Sequence, residues 1–195
     1  MLFRSNSLQT VPLFNTAAVT SMRGMFYNCY SLQTVPLFNT AAVTNMSNMF
    51  QNCYSLQTVP LFNTAAVTNM LNMFVGCNSL QTVPLFNTAA VTNMSYMFQN
   101  CYSLQAVPSL NVSAVTSSSN FSSMFNGCRS LIRIQASQFK YTFSVASCKL
   151  SATALNEIYT NLPTVTGQTI TVTGNWGTAT DTPSIATAKG WTVTG

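Results

Sequence analysis

The chain has 195 residues, of which 47% are hydrophobic and only 5% charged, against about 25% charged in an average soluble protein. Two residues are acidic, seven are basic and none is histidine, for a net charge of +5. Such a composition supplies core-forming side chains in excess and few of the groups that acid–base catalysis, metal binding or phosphate neutralisation require.

From the N-terminus, MLFRSNSLQTVPLF develops no apolar h-region and is not a signal peptide. Met1–Thr10 instead aligns with Met97–Ala106, with Ser5 where Cys101 falls, so the chain is expected to open in the middle of a repeat. Ser7–Tyr30, Ser31–Tyr54, Ser55–Asn78 and Ser79–Tyr102 are four copies at a period of 24, identical over SLQTVPLFNTAAVT. A looser fifth copy runs from Ser103 to Arg129. A period in the twenties with one apolar set per copy predicts a solenoid of stacked coils.

Within a copy, LQTVPLF (Leu8–Phe14) predicts a strand pairing in parallel with its neighbours, about 4.8 Å away. Leu8 and Val11 point inward. The third inward residue is Leu13 by the general leucine-rich pattern, or Phe14. The fifth copy favours Phe14: it has Ser109 at the Leu13 position and Leu110 at the Phe14 position, and a core accepts Leu for Phe more readily than Ser for Leu. Pro12 gives no N–H to a ladder and implies a local bulge. Leu13, Leu37, Leu61 and Leu85 then form an outward apolar stripe beside Pro12, Pro36, Pro60 and Pro84, the kind of stripe that marks a contact surface. Asn15, Asn39, Asn63, Asn87 and Asn111 follow the strand and are expected to bond the turn and one another.

Val19–Cys29 predicts a short helical turn, with Met22, Met25, Phe26 and Cys29 on one face at i, i+3, i+4 and i+7. Differences between copies avoid these four positions. Cys29, Cys53, Cys77 and Cys101 lie one period apart, and Cys128 and Cys148 follow. This spacing predicts a ladder of buried free thiols rather than a metal site. Between Arg23 and Arg129 there is no charged residue. The basic cluster from Arg129 to Lys149 reads as a solvated rim, and with the other cations scattered, no nucleic-acid partner is expected. No apolar run approaches the roughly 20 residues of a membrane span.

After Arg129 the repeat decays. Leu131–Ile134 and FKYTFSV (Phe139–Val145) read as strands. Ser151 starts a helix that runs to about Asn161 with Leu155, Ile158, Tyr159 and Leu162 on its apolar face, and Pro163 stops it. TITVT (Thr169–Thr173) predicts a strand before the turn Gly174-Asn175. Thr182-Pro183 opens a second helix ended by Gly190, and Trp191–Val193 is a last strand. The division is therefore residues 1–130 as solenoid and 131–195 as degenerate last coils with an α/β cap, which an open parallel edge needs.

The set L-x-x-V-P-x-[FL]-N-T, V-T-N-M-S-x-M-F and closing C-x-S-L, over Met1–Leu131, resembles the BspA-like leucine-rich repeats of bacterial and phage surface proteins. A-L-N-E-I-Y-T-N-L-P…T-I-T-V-T-G-N…S-I-A-T-A-K-G-W-T-V is similar to the closing unit behind such arrays. The resemblance implies a leucine-rich-repeat α/β solenoid and a surface-exposed, non-catalytic module for adhesion or host recognition. Asn15 and its copies stand where many relatives carry Asp, and the missing signal favours a virion over a cell surface.

No enzyme and no cofactor is expected: Glu157 and Asp181 are the only acids, and a serine nucleophile would have no histidine base. The sequons at Asn45, Asn93, Asn111 and Asn120 matter only after eukaryotic secretion. The expected ligand contacts are Thr10, Pro12 and Leu13; Thr34, Pro36 and Leu37; Thr58, Pro60 and Leu61; and Thr82, Pro84 and Leu85. They suit a neutral glycan or a protein on a host surface. The alternative is a structural subunit of a fibre, appendage or capsid decoration, assembling through its N-terminal edge.

Overall fold

Leu32, Val35 and Phe38 are buried, while Gln33, Thr34 and Leu37 between them are exposed. The inward spacing is three, not the two of a strand, and the proline carries no N–H. The strand expected in every copy does not form in the first four, where single parallel bridges occur instead: Ser21 to Asn45, Asn45 to Asn69, Asn69 to Asn93 and Thr82 to Ala106. Only the fifth copy extends into a strand, β1 (Ala106–Asn111), paired in parallel with β2 (Arg133–Ser137). Its register shifts between Val107 and Leu110, the place where a bulge after the proline is expected. The computed structural model describes residues 3 and 5–195, with residues 136 and 137 described by their backbone; Met1, Leu2 and Arg4 of the expected opening part-repeat lie outside it.

The expected helical turn over Val19–Cys29 is also corrected. Its inward set is right: Met22, Met25, Phe26 and Cys29 are all buried. The backbone, however, is a chain of turns, because two residues per copy are left-handed. In the first copy these are Gly24 (φ 61°) and Asn28 (φ 63°), in the second Asn48 and Asn52, and in the fourth Tyr96 (φ 57°) and Asn100. A right-handed helix cannot pass through such residues, and Gly and Asn are the types that enter this region most readily.

The alternation divides the backbone donors. Met25, Tyr27 and Cys29 donate N–H within the turn to Met22, Gly24 and Phe26. Gly24, Phe26 and Asn28 donate to the next copy, at Ser47, Met49 and Gln51. The same three bonds recur from the second, third and fourth copies, all between 2.7 and 3.1 Å. Successive copies are thereby stacked in one register, as a regular 24-residue repeat.

Side chains repeat the pattern. Rings of Phe3, Phe26, Phe50, Phe74, Phe98 and Phe125 follow one another at 5.4 to 6.1 Å between centroids, tilted by no more than 14°. Each cysteine thiol reaches back to a phenylalanine carbonyl of the preceding layer, Cys53 to Phe26 at 3.2 Å and Cys77 to Phe50 at 3.1 Å. Buried Thr16, Thr40, Thr64 and Thr88 each donate a hydroxyl at 2.8 Å to the carbonyl of Asn39, Asn63, Asn87 and Asn111 respectively. These asparagine side chains accept from their own turn, Asn15 Oδ1 from Ala17 N–H and Asn39 Oδ1 from Ala41 N–H. They do not bond one another as expected; that contact belongs to a left-handed pair, Asn52 Nδ2 to Asn28 Oδ1 at 2.8 Å.

Beyond the fifth copy lies a small parallel α/β region. Leu131 is held by the turn through its N–H to Cys128, so β2 starts at Arg133 rather than at Leu131. Of Phe139–Val145 only Phe143–Ser144 forms a strand, β3, and the Thr142 N–H before it is taken by the Gln168 side chain at 2.7 Å. Helix α1 (Ala152–Asn161) starts where Ser151 accepts the Ala154 N–H, and it buries Leu155, Ile158 and Tyr159. Strands β3, β4 (Gln168–Thr171) and β5 (Trp191–Thr194) form a parallel sheet in chain order. Helix α2 (Ser184–Thr187) lies between the last two, with Gly190 at φ 82° behind it.

The repeat's ladders run on into this region. Val145 and Ser147 donate N–H to Thr171 and Thr173, in the pattern that Phe26 and Asn28 set in the first copy. The thiol column ends at Cys148, and the next place is filled by buried Asn175. Its Nδ2 donates to Val145 and Val172 carbonyls at 2.8 Å, and its Oδ1 accepts from Leu150 N–H.

Candidate functional site

The outward positions of the 24-residue unit share one face because every copy is in register. Leu13 is 67% exposed, and Leu37, Leu61 and Leu85 are 60, 59 and 60% exposed. The neighbouring Phe38, Phe62 and Phe86 are no more than 3% exposed, so the inward residue is the phenylalanine. Thr10, Thr34, Thr58 and Thr82 are exposed on the same face, as are Gln33, Gln57 and Gln81. Pro12 is exposed, while Pro36, Pro60 and Pro84 are half-buried beside the leucines. All twelve residues expected to contact a ligand therefore reach one surface.

One backbone bond per layer anchors that surface, from Gln33 N–H to Gln9 at 2.9 Å and from Gln57 and Gln81 to the glutamine before each. Shallow depressions lie between successive leucines. One of ≈ 330 Å³ is bounded by Leu13, Asn15, Leu37 and Asn39, and one of ≈ 340 Å³ by Leu61, Asn63, Leu85 and Asn87. The surface offers aliphatic contact, threonine hydroxyls and glutamine amides. It presents no formal charge, since none occurs between Arg23 and Arg129.

The scarce ionic groups are engaged elsewhere. Glu157 pairs with Arg133 at 3.0 Å, and Asp181 accepts the Tyr159 hydroxyl at 2.7 Å. Burial first, and that carboxylate second, push the Tyr159 phenol above its ordinary value. All six cysteines are free and buried. Desolvation pushes Cys148 up to about 12 and holds Cys77 and Cys128 well above the usual thiol range. A thiol kept neutral in this way is a poor nucleophile and a poor metal ligand. Among the described residues no three His, Cys, Asp or Glu come together in a metal-binding group, and no helix is long and apolar enough to cross a membrane.

Sequence reasoning did not find the exposed aromatic of the C-terminal region. Trp176 is 71% exposed, with Lys149 Nζ 5.1 Å from its ring centre. Tyr54 and Tyr102 are each 41% exposed; Tyr30 stacks on Tyr54 at 4.8 Å, and the Arg129 guanidinium lies 5.4 Å from the Tyr102 ring centre. The copy-to-copy exchange of Tyr and Asn at this position carried the signal for the tyrosines. A family model described as "Mycoplasma protein of unknown function, DUF285" matches residues 1–106 and again residues 50–160. No curated protein matches the chain.

Proposed function

The chain belongs to the DUF285 family, and from that premise we propose that it is a non-catalytic binding module of a cell or virion surface. Its array is read as a leucine-rich-repeat solenoid of the BspA-like kind, closed by the C-terminal α/β region as a cap. The observation that carries the reading is the row Leu13, Leu37, Leu61 and Leu85, each 59% exposed or more on a surface without charge. Contiguous apolar exposure of this kind favours an interaction site, and the flanking threonine and glutamine groups suit a neutral glycan or a protein of a host surface.

The test uses labelled protein and intact host cells. Binding is expected to be saturable and indifferent to salt, because no ion pair contributes. Replacing all four leucines by serine should abolish it while leaving the folded state intact, since these side chains are outside the core. Failure of the wild-type chain to bind host surfaces, or undiminished binding by the quadruple variant, refutes the proposal.

A second reading, assembly through the N-terminal edge, is favoured by the half-buried state of Leu8, Phe14 and Val19. Their equivalents Leu32, Phe38 and Val43 are 0, 2 and 0% exposed beneath the preceding copy. Light scattering decides it: a concentration-independent monomer refutes self-assembly through this edge.

A further inference from the structure

One seam in the stack lacks the three bonds that the left-handed residues and the phenylalanine between them donate in each of the first four copies. The positions equivalent to Tyr96, Phe98 and Asn100 in the fifth copy are Ser123, Phe125 and Gly127. Tyr96, Phe98 and Asn100 donate to Ser122, Met124 and Asn126 at 2.8, 3.1 and 2.8 Å. Among the described residues, the N–H groups of Ser123, Phe125 and Gly127 have no acceptor. One layer further on such bonds return, with Val145 and Ser147 donating at 2.9 and 2.8 Å.

The cause is chain length. Twenty residues separate Cys128 from Cys148, where 24 separate Cys29 from Cys53. By the repeat's own rule Phe125 and Gly127 would donate to Ser144 and Ala146, but the shortened pass does not bring those carbonyls into reach. The thiol column widens at the same place, Cys148 Sγ standing 4.0 Å from the Phe125 carbonyl where the other cysteines make contacts of 3.1 to 3.2 Å.

Between the two layers is a cleft of ≈ 290 Å³. Ser123, Asn126, Gly127 and Arg129 line one wall, and Ser144 and Ser147 belong to the other. It is more polar than the depressions of the leucine face, and no Asp or Glu lines it. Backbone donors without acceptors are uncommon in native proteins. Two of them, on the lining residues Ser123 and Gly127, with Arg129 and serine hydroxyls on the walls, form an array for oxygen acceptors carrying negative charge.

The geometry points to an oxyanion site in this cleft, built from the Ser123 and Gly127 N–H groups with the side chain of Arg129 on its wall, that takes a carboxylate or sulfate group. Free anions and acidic sugars share this chemistry; the serine hydroxyls add contacts that a sugar can use. The site is independent of the leucine face, shares no residue with it and, unlike it, has a cationic side chain on its wall.

The experiment is an amide ¹⁵N–¹H titration of the full chain with inorganic sulfate, and separately with glucuronate, at constant ionic strength. The expected result is saturable displacement of the Ser123 and Gly127 signals. Arg129→Gln should weaken it by at least tenfold, and Arg129→Lys should recover part of the loss. Tighter binding of glucuronate identifies a sugar-borne anion as the preferred source, and tighter binding of sulfate a free one. Displacement that does not saturate, spreads over the surface or survives Arg129→Gln unchanged overturns the proposal. Arg129 is exposed, so its substitution leaves the fold in place, as unchanged signals from the first three copies would verify.

Discussion

The thiol column makes the protein's stability sensitive to alkaline pH. Cys53, Cys77, Cys101, Cys128 and Cys148 are each 0 to 2% exposed, and burial raises every one of them from the ordinary thiol value of 9.0. Cys29 moves in the same direction. A group whose folded-state pKa is raised holds its proton while the unfolded chain releases it. Stability is therefore full below pH 9 and falls as pH climbs from there towards the folded values. Each proton is worth about 1.4 kcal/mol per pH unit, so the five inner thiols remove about 7 kcal/mol by pH 10. This is comparable with the whole stability of a typical domain, about 5–15 kcal/mol. Urea unfolding of the reduced protein from pH 7 to 11 measures the slope, and thiolate absorbance shows directly which state has ionised. The Cys53→Ala, Cys77→Ala, Cys101→Ala triple variant should be less stable at pH 7 but lose stability with pH at about half of the wild-type slope, three of the six raised thiols remaining. A stability profile flat to pH 10.5, or thiolate absorbance appearing near pH 9 in folded protein, refutes the reasoning.

Two further outcomes test the packing. Asn175→Ala removes two donated bonds and one accepted bond from a buried position; leaving Leu150 N–H and the Val145 carbonyl without those partners should cost about 2–4 kcal/mol, seen as a lower urea midpoint with an unchanged m-value. Phe74→Ala removes a ring held between Phe50 at 5.6 Å and Phe98 at 5.8 Å, and should cost about 3–5 kcal/mol; a loss under 1 kcal/mol would mean that the stack closes over the gap.

The parts legible in the sequence are those that repetition samples more than once. The choice between Leu13 and Phe14 rested on one natural substitution, Ser109-Leu110, and the exposures of Leu37 and Phe38 agree with it. The inward set Met22, Met25, Phe26 and Cys29 was readable because variation avoided it. The same comparison held an unused signal: the Gly24, Asn48, Asn72 and Asn28, Asn52, Gly76 positions exchange Gly with Asn, the mark of left-handed backbone, and so rule out the short helix. Asn175 was not legible as a core residue, because Gly-Asn in isolation reads as a turn; only the register of the stack places it below Cys148. The open seam was visible only as a shortened cysteine interval. Interval length does not say which donors lose their acceptors.

The uniform ladders have a consequence for the chain's length. The surface that the second copy offers to the third is chemically almost the one that the third offers to the fourth: the same phenylalanine ring, threonine hydroxyl, thiol and three N–H groups. Excising residues 55–78 would rejoin two faces that already fit, shortening the array by one layer without creating a new kind of contact. The number of layers is therefore a quantity the fold leaves free, and the reach of the leucine row can change in whole steps while the C-terminal region remains the same.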